Sequence, residues 1–144
     1  MRFQPHLTVA TIVEDGGRFL MVEEVKPQGL VLNQPAGHLE ADESLIQAAE
    51  RETLEETGWA VCIESLIGLY LFVAADGDTY QRVCFSGRAL EHDPHRALDV
   101  GILAAPWMTL DELQACSGRH RSHLVLQCVL DYLNKPHYPL ELIR

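Results

Sequence analysis

The sequence predicts an α/β fold, a mixed β-sheet flanked by helices, and three stretches carry that expectation. Residues 6–13 (HLTVATIV) are largely apolar and rich in β-branched side chains, as a strand requires. Residues 37–59 (GHLEADESLIQAAERETLEETGW) pass from a glycine loop into a helix-forming segment and end at a second glycine. Residues 123–133 place Leu124, Val125, Cys128, Val129 and Tyr132 at helical spacing. The 144 residues, 47% hydrophobic, suit a single domain over 1–144 with a real core.

In order, the strand at 6–13 turns at Asp15-Gly16-Gly17, and residues 18–24 (RFLMVEE) form its hairpin partner. After a loop at 26–29, residues 30–33 make a short strand that leads into the loop Gln34-Pro35-Ala36-Gly37. Gly37 is expected in a conformation that a residue with a Cβ would resist. Asp42 or Ser44 caps the following helix; Ser44 with Gln47 has the form of a capping box, and Gly58 stops the helix. Residues 60–73 and 79–90 read as strands around the turn Asp76-Gly77-Asp78, with Gly87 a candidate bulge. A polar loop at 91–99 precedes a short strand at 102–108 holding Trp107. Thr109 then caps a helix toward Cys116, residues 119–122 form a basic connector, and the tail 135–144 is extended.

Within the first helix the charges are arranged. With Glu52 at zero and 100° per residue, Glu56 falls near +40° and Glu55 near −60°. Leu45, Ala48 and Ala49 lie on the same face one to two turns earlier. The stripe therefore starts apolar and ends acidic, and packing its first half draws the second half inward. Carboxylates about 6 Å apart repel by roughly 2–3 kcal/mol per pair at an effective dielectric near 20. Divalent cations relieve that repulsion, and a hard, oxygen-rich site suits Mg²⁺ or Mn²⁺. A solvated acidic helix end partly neutralised by Arg51 is the plainer alternative.

The formal net charge is −10, from 11 basic and 21 acidic residues. That balance argues against nucleic-acid polymers as partners, which need a basic face. It admits an anionic substrate only if cations intervene. No apolar run has the length of a membrane span, and residues 1–9 lack the apolar core of a signal peptide. Cys62, Cys84, Cys116 and Cys128 form no C-x-x-C pair, as expected of reduced thiols in a cytoplasmic protein. His92, His95, His120 and His123 show no zinc-like frame.

The pattern G-x5-E-x7-R-E-U-x-E-E-x-G-U is met by Gly37, Glu43, Arg51, Glu52, Glu55, Glu56 and Gly58, with Thr53 and Trp59 at the usually bulky apolar positions. Seven fixed positions make a chance match on the order of one in 10⁸. This is the Nudix box, and the chain resembles a Nudix hydrolase. The resemblance implies the α/β/α sandwich of that family and hydrolysis of phosphoanhydride bonds with Mg²⁺, or Mn²⁺, as cofactor. It implies Glu52, Glu55, Glu56 and the Ala36 carbonyl as metal ligands. Glu52 or a neighbouring glutamate such as Glu55 is implied as the base, and Arg51 is expected to orient the glutamates by ion pairing, with a direct phosphate contact as the alternative. Glu43 is expected as a structural residue at the helix start, with metal binding as the alternative.

Gln34, His38 and Arg121 are candidate substrate contacts, each with an ordinary loop or surface role as the alternative; Phe72, Tyr80 and Tyr138 are candidate stacking rings. Many family members carry a further acid six residues before the tryptophan that corresponds to Trp107. Here that position is Gly101, and Asp99 is the nearest acid, which leaves this ligand unassigned.

Beyond the box, residues 33–43 (NQPAGHLEADE), PHLTVA, RSHLV and YPLE resemble one group of bacterial phosphatases within the family, over nearly the full length. That likeness implies release of orthophosphate from nucleoside tri- and diphosphates and from the pyrimidine pyrophosphate intermediate of thiamine synthesis. Leu32 stands where that group commonly has tryptophan, which removes aromatic surface for stacking a base. Two other expectations compete. One is a family enzyme that cuts a larger molecule, such as a dinucleotide polyphosphate or an RNA 5′ end. The other is a non-catalytic sensor, which the complete glutamate set disfavours.

Overall fold

A computed structural model describes residues 1–144. In chain order it holds β1 (His6–Asp15), β2 (Arg18–Leu20), β3 (Val22–Lys26), β4 (Gly29–Asn33), β5 (Ala36–His38) and α1 (Leu45–Thr57). Then follow β6 (Trp59–Val73), β7 (Thr79–His92), β8 (Ile102–Ala104), β9 (Trp107–Thr109), α2 (Leu110–Ala115) and α3 (Leu124–Asn134).

The central strand β1 buries an unbroken run, Val9 to Val13, because both of its faces are covered. Alternate side chains point to opposite sides of a sheet. Ala10 and Ile12 accordingly join one apolar cluster with Cys84 and with Val125 and Val129 of α3. Val9 and Val13 join another with Val83, Phe85 and the α1 residues Ala48 and Ala49. Helices thus cover both faces, the α/β/α arrangement. The six-stranded sheet runs β6-β7-β1-β2-β9, with β5 also on β1. It is mixed, since β1 and β7 are parallel and the other pairs antiparallel.

Two expected strands are each divided. Residues 18–24 change sheets at Met21: β2 stays with β1, and β3 enters a three-stranded sheet with β4 and β8. Residues 102–108 break at Ala105-Pro106. Proline has no N–H for a ladder, but the Pro106 carbonyl accepts from Met21 N at 2.8 Å, so the two breaks meet. The expected loop at 36–38 is instead strand β5, antiparallel to β1. No extra residue sits at Gly87; the unpaired residue is Glu64 on the facing strand, between the pairs Ile63–Gly87 and Ser65–Ser86. The tail is not extended throughout, since Leu140–Leu142 forms a 3-10 turn.

Helix α1 begins as its local sequence dictates. Ser44 Oγ accepts from Gln47 N at 3.1 Å, and Gln47 Oε1 accepts from Ser44 N at 2.9 Å. Asp42 does not cap; it takes a left-handed φ of 64° in the turn before the helix. At the other end Gly58 has φ 76°, donates to the Leu54 carbonyl, and leaves only 2.9 Å between a hypothetical Cβ and the Asp93 carbonyl oxygen. Gly58→Ala is expected to cost about 1–3 kcal/mol, read as a lower urea midpoint. An unchanged midpoint would show that this turn relaxes freely.

Candidate active site

The acidic end of α1 faces the edge of the sheet at β5. Gly37 on β5 approaches the Glu52 carboxylate so closely that a Cβ there would overlap it. Gly37 does not have a positive φ. The glycine is required by this close approach and not by an unusual backbone conformation. Thr53, at a position usually apolar, is fully buried, and its hydroxyl donates to the Ala49 carbonyl at 2.8 Å. An internal bond of that kind lets a hydroxyl stand in for an apolar side chain.

Arg51 gathers the surrounding acids. It holds Glu43 with two bonds, Nε to Oε2 at 2.9 Å and Nη2 to Oε1 at 2.7 Å. Its Nη1 donates to Glu52 Oε1 at 2.8 Å and Glu55 Oε2 at 3.2 Å, and its Nη2 to the His38 carbonyl at 3.0 Å. Glu43 precedes the helix, and the chain folds back to bring it to Arg51. The hydrogen bonds from Arg51 hold the Glu43 carboxyl below its ordinary pKa.

Glu56 points elsewhere. It is buried, and its Oε1 accepts from Ala36 N at 2.8 Å. Burial pushes its carboxyl up to about 9; the Ala36 N–H opposes that, and Glu24, Glu52 and Asp99 add repulsion. Burial likewise raises Glu52, with Arg51 opposing. Three residues converge most tightly: Glu52, Glu55 and Asp99 each place a carboxylate oxygen within 4.8 Å of the others. Asp99 is brought there by the loop. Its N–H donates to the Glu55 carbonyl at 3.1 Å, its carbonyl accepts from Ile102 N, and Gly101 turns the chain with φ 92°. The position that sequence spacing singled out is therefore the turn, and the acid two residues earlier comes to the cluster.

A cleft of about 740 Å³ opens beside these acids. Ala36, Gly37, Glu52 and Glu56 line one end, with Glu24. Glu24 lies on β3 and carried no signal in the sequence. His38 and Arg121 also line the cleft. The His38 ring meets His6 edge-on at 5.3 Å, and burial, then the neighbouring His6, lower its pKa. Gln34 does not reach the cleft. It is fully buried, with Nε2 donating to the Val125 carbonyl at 2.6 Å and Oε1 accepting from Arg82 at 2.8 Å. Of the candidate rings, Phe72 and Tyr80 line the cleft; Tyr138 lies elsewhere, its backbone paired with Leu66. The four cysteines are free, and no helix is long and apolar enough to cross a membrane.

A fold of this topology with a glutamate-bearing helix against a strand edge is that of the hydrolases which cleave phosphoanhydride bonds, and the chain belongs to the NUDIX family, whose domain model matches residues 4–127. Among curated proteins, it is 38% identical over 141 residues to Phosphatase NudJ of Escherichia coli strain K12, covering 98% of this chain and 92% of that protein. Among solved structures, a NUDIX hydrolase from Nitrosomonas europaea superposes with a TM-score of 0.96 at 45% identity, covering 98% of this chain and 97% of the other. A MutT NUDIX hydrolase from Burkholderia pseudomallei shares the fold, with a TM-score of 0.76 at 21% identity over 90% of this chain and 98% of its own. The protein is a Nudix phosphohydrolase.

Proposed function

We propose that the chain, read as one Nudix domain over residues 1–144, is a Mg²⁺-dependent hydrolase, with Mn²⁺ able to substitute. Its substrates are small compounds with terminal phosphoanhydrides: nucleoside tri- and diphosphates and hydroxymethylpyrimidine pyrophosphate of the thiamine pathway, with release of orthophosphate. The observation that carries this reading is the convergence of Glu52, Glu55 and Asp99 within 4.8 Å beside the cleft. The donor set fits a hard divalent cation, since every group is a carboxylate oxygen. Buried Glu56, with one N–H partner and a pKa pushed to about 9, supports the same reading, because a nearby cation would relieve it. The 38% identity to a protein named a phosphatase supports orthophosphate as product. Four free cysteines suit a reducing cytoplasm.

Glu52, Glu55 and Glu56 would hold the metal, with Asp99 and the Ala36 carbonyl. Bound there, divalent ions neutralise phosphate oxygens and make water a better nucleophile. Arg51 keeps Glu52 and Glu55 in place by holding one oxygen of each. Of that pair, Glu52 or Glu55 accepts the proton of the attacking water. His38 and Arg121 contact the substrate along the cleft, and Gln34 acts from beneath by fixing Arg82.

A phosphate assay over diphosphates and triphosphates, with and without Mg²⁺ and without added phosphatase, tests this. Orthophosphate formed directly, only with divalent metal, is expected. Pyrophosphate, or a pair of mononucleotides from a dinucleotide polyphosphate, would reject the proposed substrate class and favour a larger substrate.

A further inference from the structure

A phosphate chain entering the cleft meets mostly negative charge. Five carboxylates line the cleft against three full cations, Lys26, Arg82 and Arg121. Arg82 is 7% exposed and tied to two neutral amides, with Nη1 donating to Gln34 Oε1 at 2.8 Å and Nη2 to Asn33 Oδ1 at 3.0 Å. Arg121 is exposed, and its backbone N–H donates to the Leu32 carbonyl at 2.8 Å. Lys26 differs from both. It is half-buried, and its Nζ lies 3.1 Å from Glu24 Oε2, the one carboxylate that it pairs with. An ammonium has three donors, so Lys26 can hold Glu24 and a further acceptor at once.

Glu24 and Lys26 are alternate residues of β3, so their side chains leave the same face of the strand. That face is the cleft wall, since both residues line it. Glu24 stands at the acidic end with Glu52 and Glu56, and the Lys26 ammonium on its carboxylate is at that end too. Phe72 and Tyr80 line the cleft from β6 and β7. Arg82 of β7 sits opposite Thr8 on β1, and Thr8 sits opposite His38 on β5. Two strand spacings, about 10 Å, therefore separate β7 from the strand beside the glutamates. A diphosphate whose organic group reaches toward the two rings carries its terminal phosphate at the far end, beside the acids and Lys26.

We propose that Lys26, positioned by Glu24, binds the terminal phosphate of the substrate and makes the cleft prefer a free phosphate end to an esterified one. A free end carries about −1.5 to −2 charges at pH 7, and esterification removes its second charge. A compact ammonium with donors that turn freely suits a group with three like oxygens. Nucleoside tri- and diphosphates and a pyrimidine pyrophosphate all end in such a group, and a dinucleotide polyphosphate does not. This assignment rests on the phosphohydrolase reading above and adds the residue that sets which phosphate chains the same cleft accepts.

The test uses α,β-methylene-ADP, whose carbon bridge resists hydrolysis and whose terminal phosphate is free, and its β-methyl ester. Titration calorimetry in Mg²⁺ gives Kd for both in wild type, Lys26→Met and Lys26→Arg. Wild type is expected to bind the free compound more tightly than the ester. A divalent ion also favours the free group, so the change from wild type to variant decides. Lys26→Met is expected to weaken the free compound at least about tenfold and the ester less than about threefold. Lys26→Arg keeps the cation and is expected to stay within about threefold of wild type on both. Lys26→Gln takes the place of Lys26→Met if that variant does not fold. Equal weakening of the two compounds, no weakening of either, or an arginine variant that behaves like the methionine one overturns the proposal and leaves Lys26 a partner of Glu24 alone. In turnover, kcat/KM for ADP is expected to fall at least about tenfold in Lys26→Met and to be kept in Lys26→Arg; an unchanged value in Lys26→Met overturns the proposal as well. If wild type hydrolyses no diphosphate or triphosphate, the phosphohydrolase reading fails, and the calorimetry still decides on Lys26.

Discussion

Glu55→Gln and Glu56→Gln are each expected to lower kcat at least about 100-fold, while the thermal midpoint stays or rises. In Glu56→Gln the new amide would keep the bond from Ala36 N and occupy the same volume, but it would offer a metal a neutral oxygen where a carboxylate stood. Stability is spared because Glu55→Gln removes a negative charge from a crowded set, and Glu56→Gln removes an acid whose charged form burial disfavours. Full turnover in both variants would remove these glutamates from the mechanism. Glu56 also carries a signature in pH. Its folded pKa, about 9, lies above the unfolded value of 4.5. A group raised in this way contributes stability that is fully present below pH 4.5 and is lost as pH rises through about 9. In EDTA, the wild-type midpoint is therefore expected to fall between those limits, and Glu56→Gln to flatten that fall. Equal slopes in the two proteins would show that Glu56 titrates normally.

Gly37→Ala is expected to lower turnover by about 100-fold or more while the protein remains folded. The added methyl would overlap the Glu52 carboxylate, the far end of a flexible side chain. Glu52 can swing away, so the fold survives. Its oxygens then leave the cluster with Glu55 and Asp99, and its bond from Arg51 is lost. Activity and thermal midpoint measured on one preparation check this. A variant that keeps its activity would mean that Glu52 need not stand where the wild type holds it. Loss of activity with collapse of the fold would mean instead that β5 itself cannot accept the methyl group.

Features that depend on near neighbours in the chain are legible in the sequence. The capping box of Ser44 and Gln47, the stop at Gly58 and the cap at Thr109 each rest on contacts three or four residues apart. The shared face of the glutamates near the end of α1 follows from helical spacing alone, and so does the proximity of Arg51 and Glu55. Even so, burial separates the set: Glu56 turns to the backbone of β5, while Glu52 and Glu55 turn to Asp99. Helical spacing places side chains around an axis but does not say which neighbour each will meet.

The length and patterning of the sequence by itself determined an α/β fold with its acidic helix against a sheet. Only the tertiary structure decided where residues 18–24 and 102–108 divide, since a proline's missing N–H matters only once its carbonyl finds Met21. It also decided that Asp99 and not position 101 joins the acids, and that Arg82 lies beneath the cleft beside residues 33–34. Those contacts join residues 44 to 49 positions apart, as between Asp99 and Glu55 or between Arg82 and Asn33. Strand register and loop turns set such distances, and neither is written in any short window of the chain.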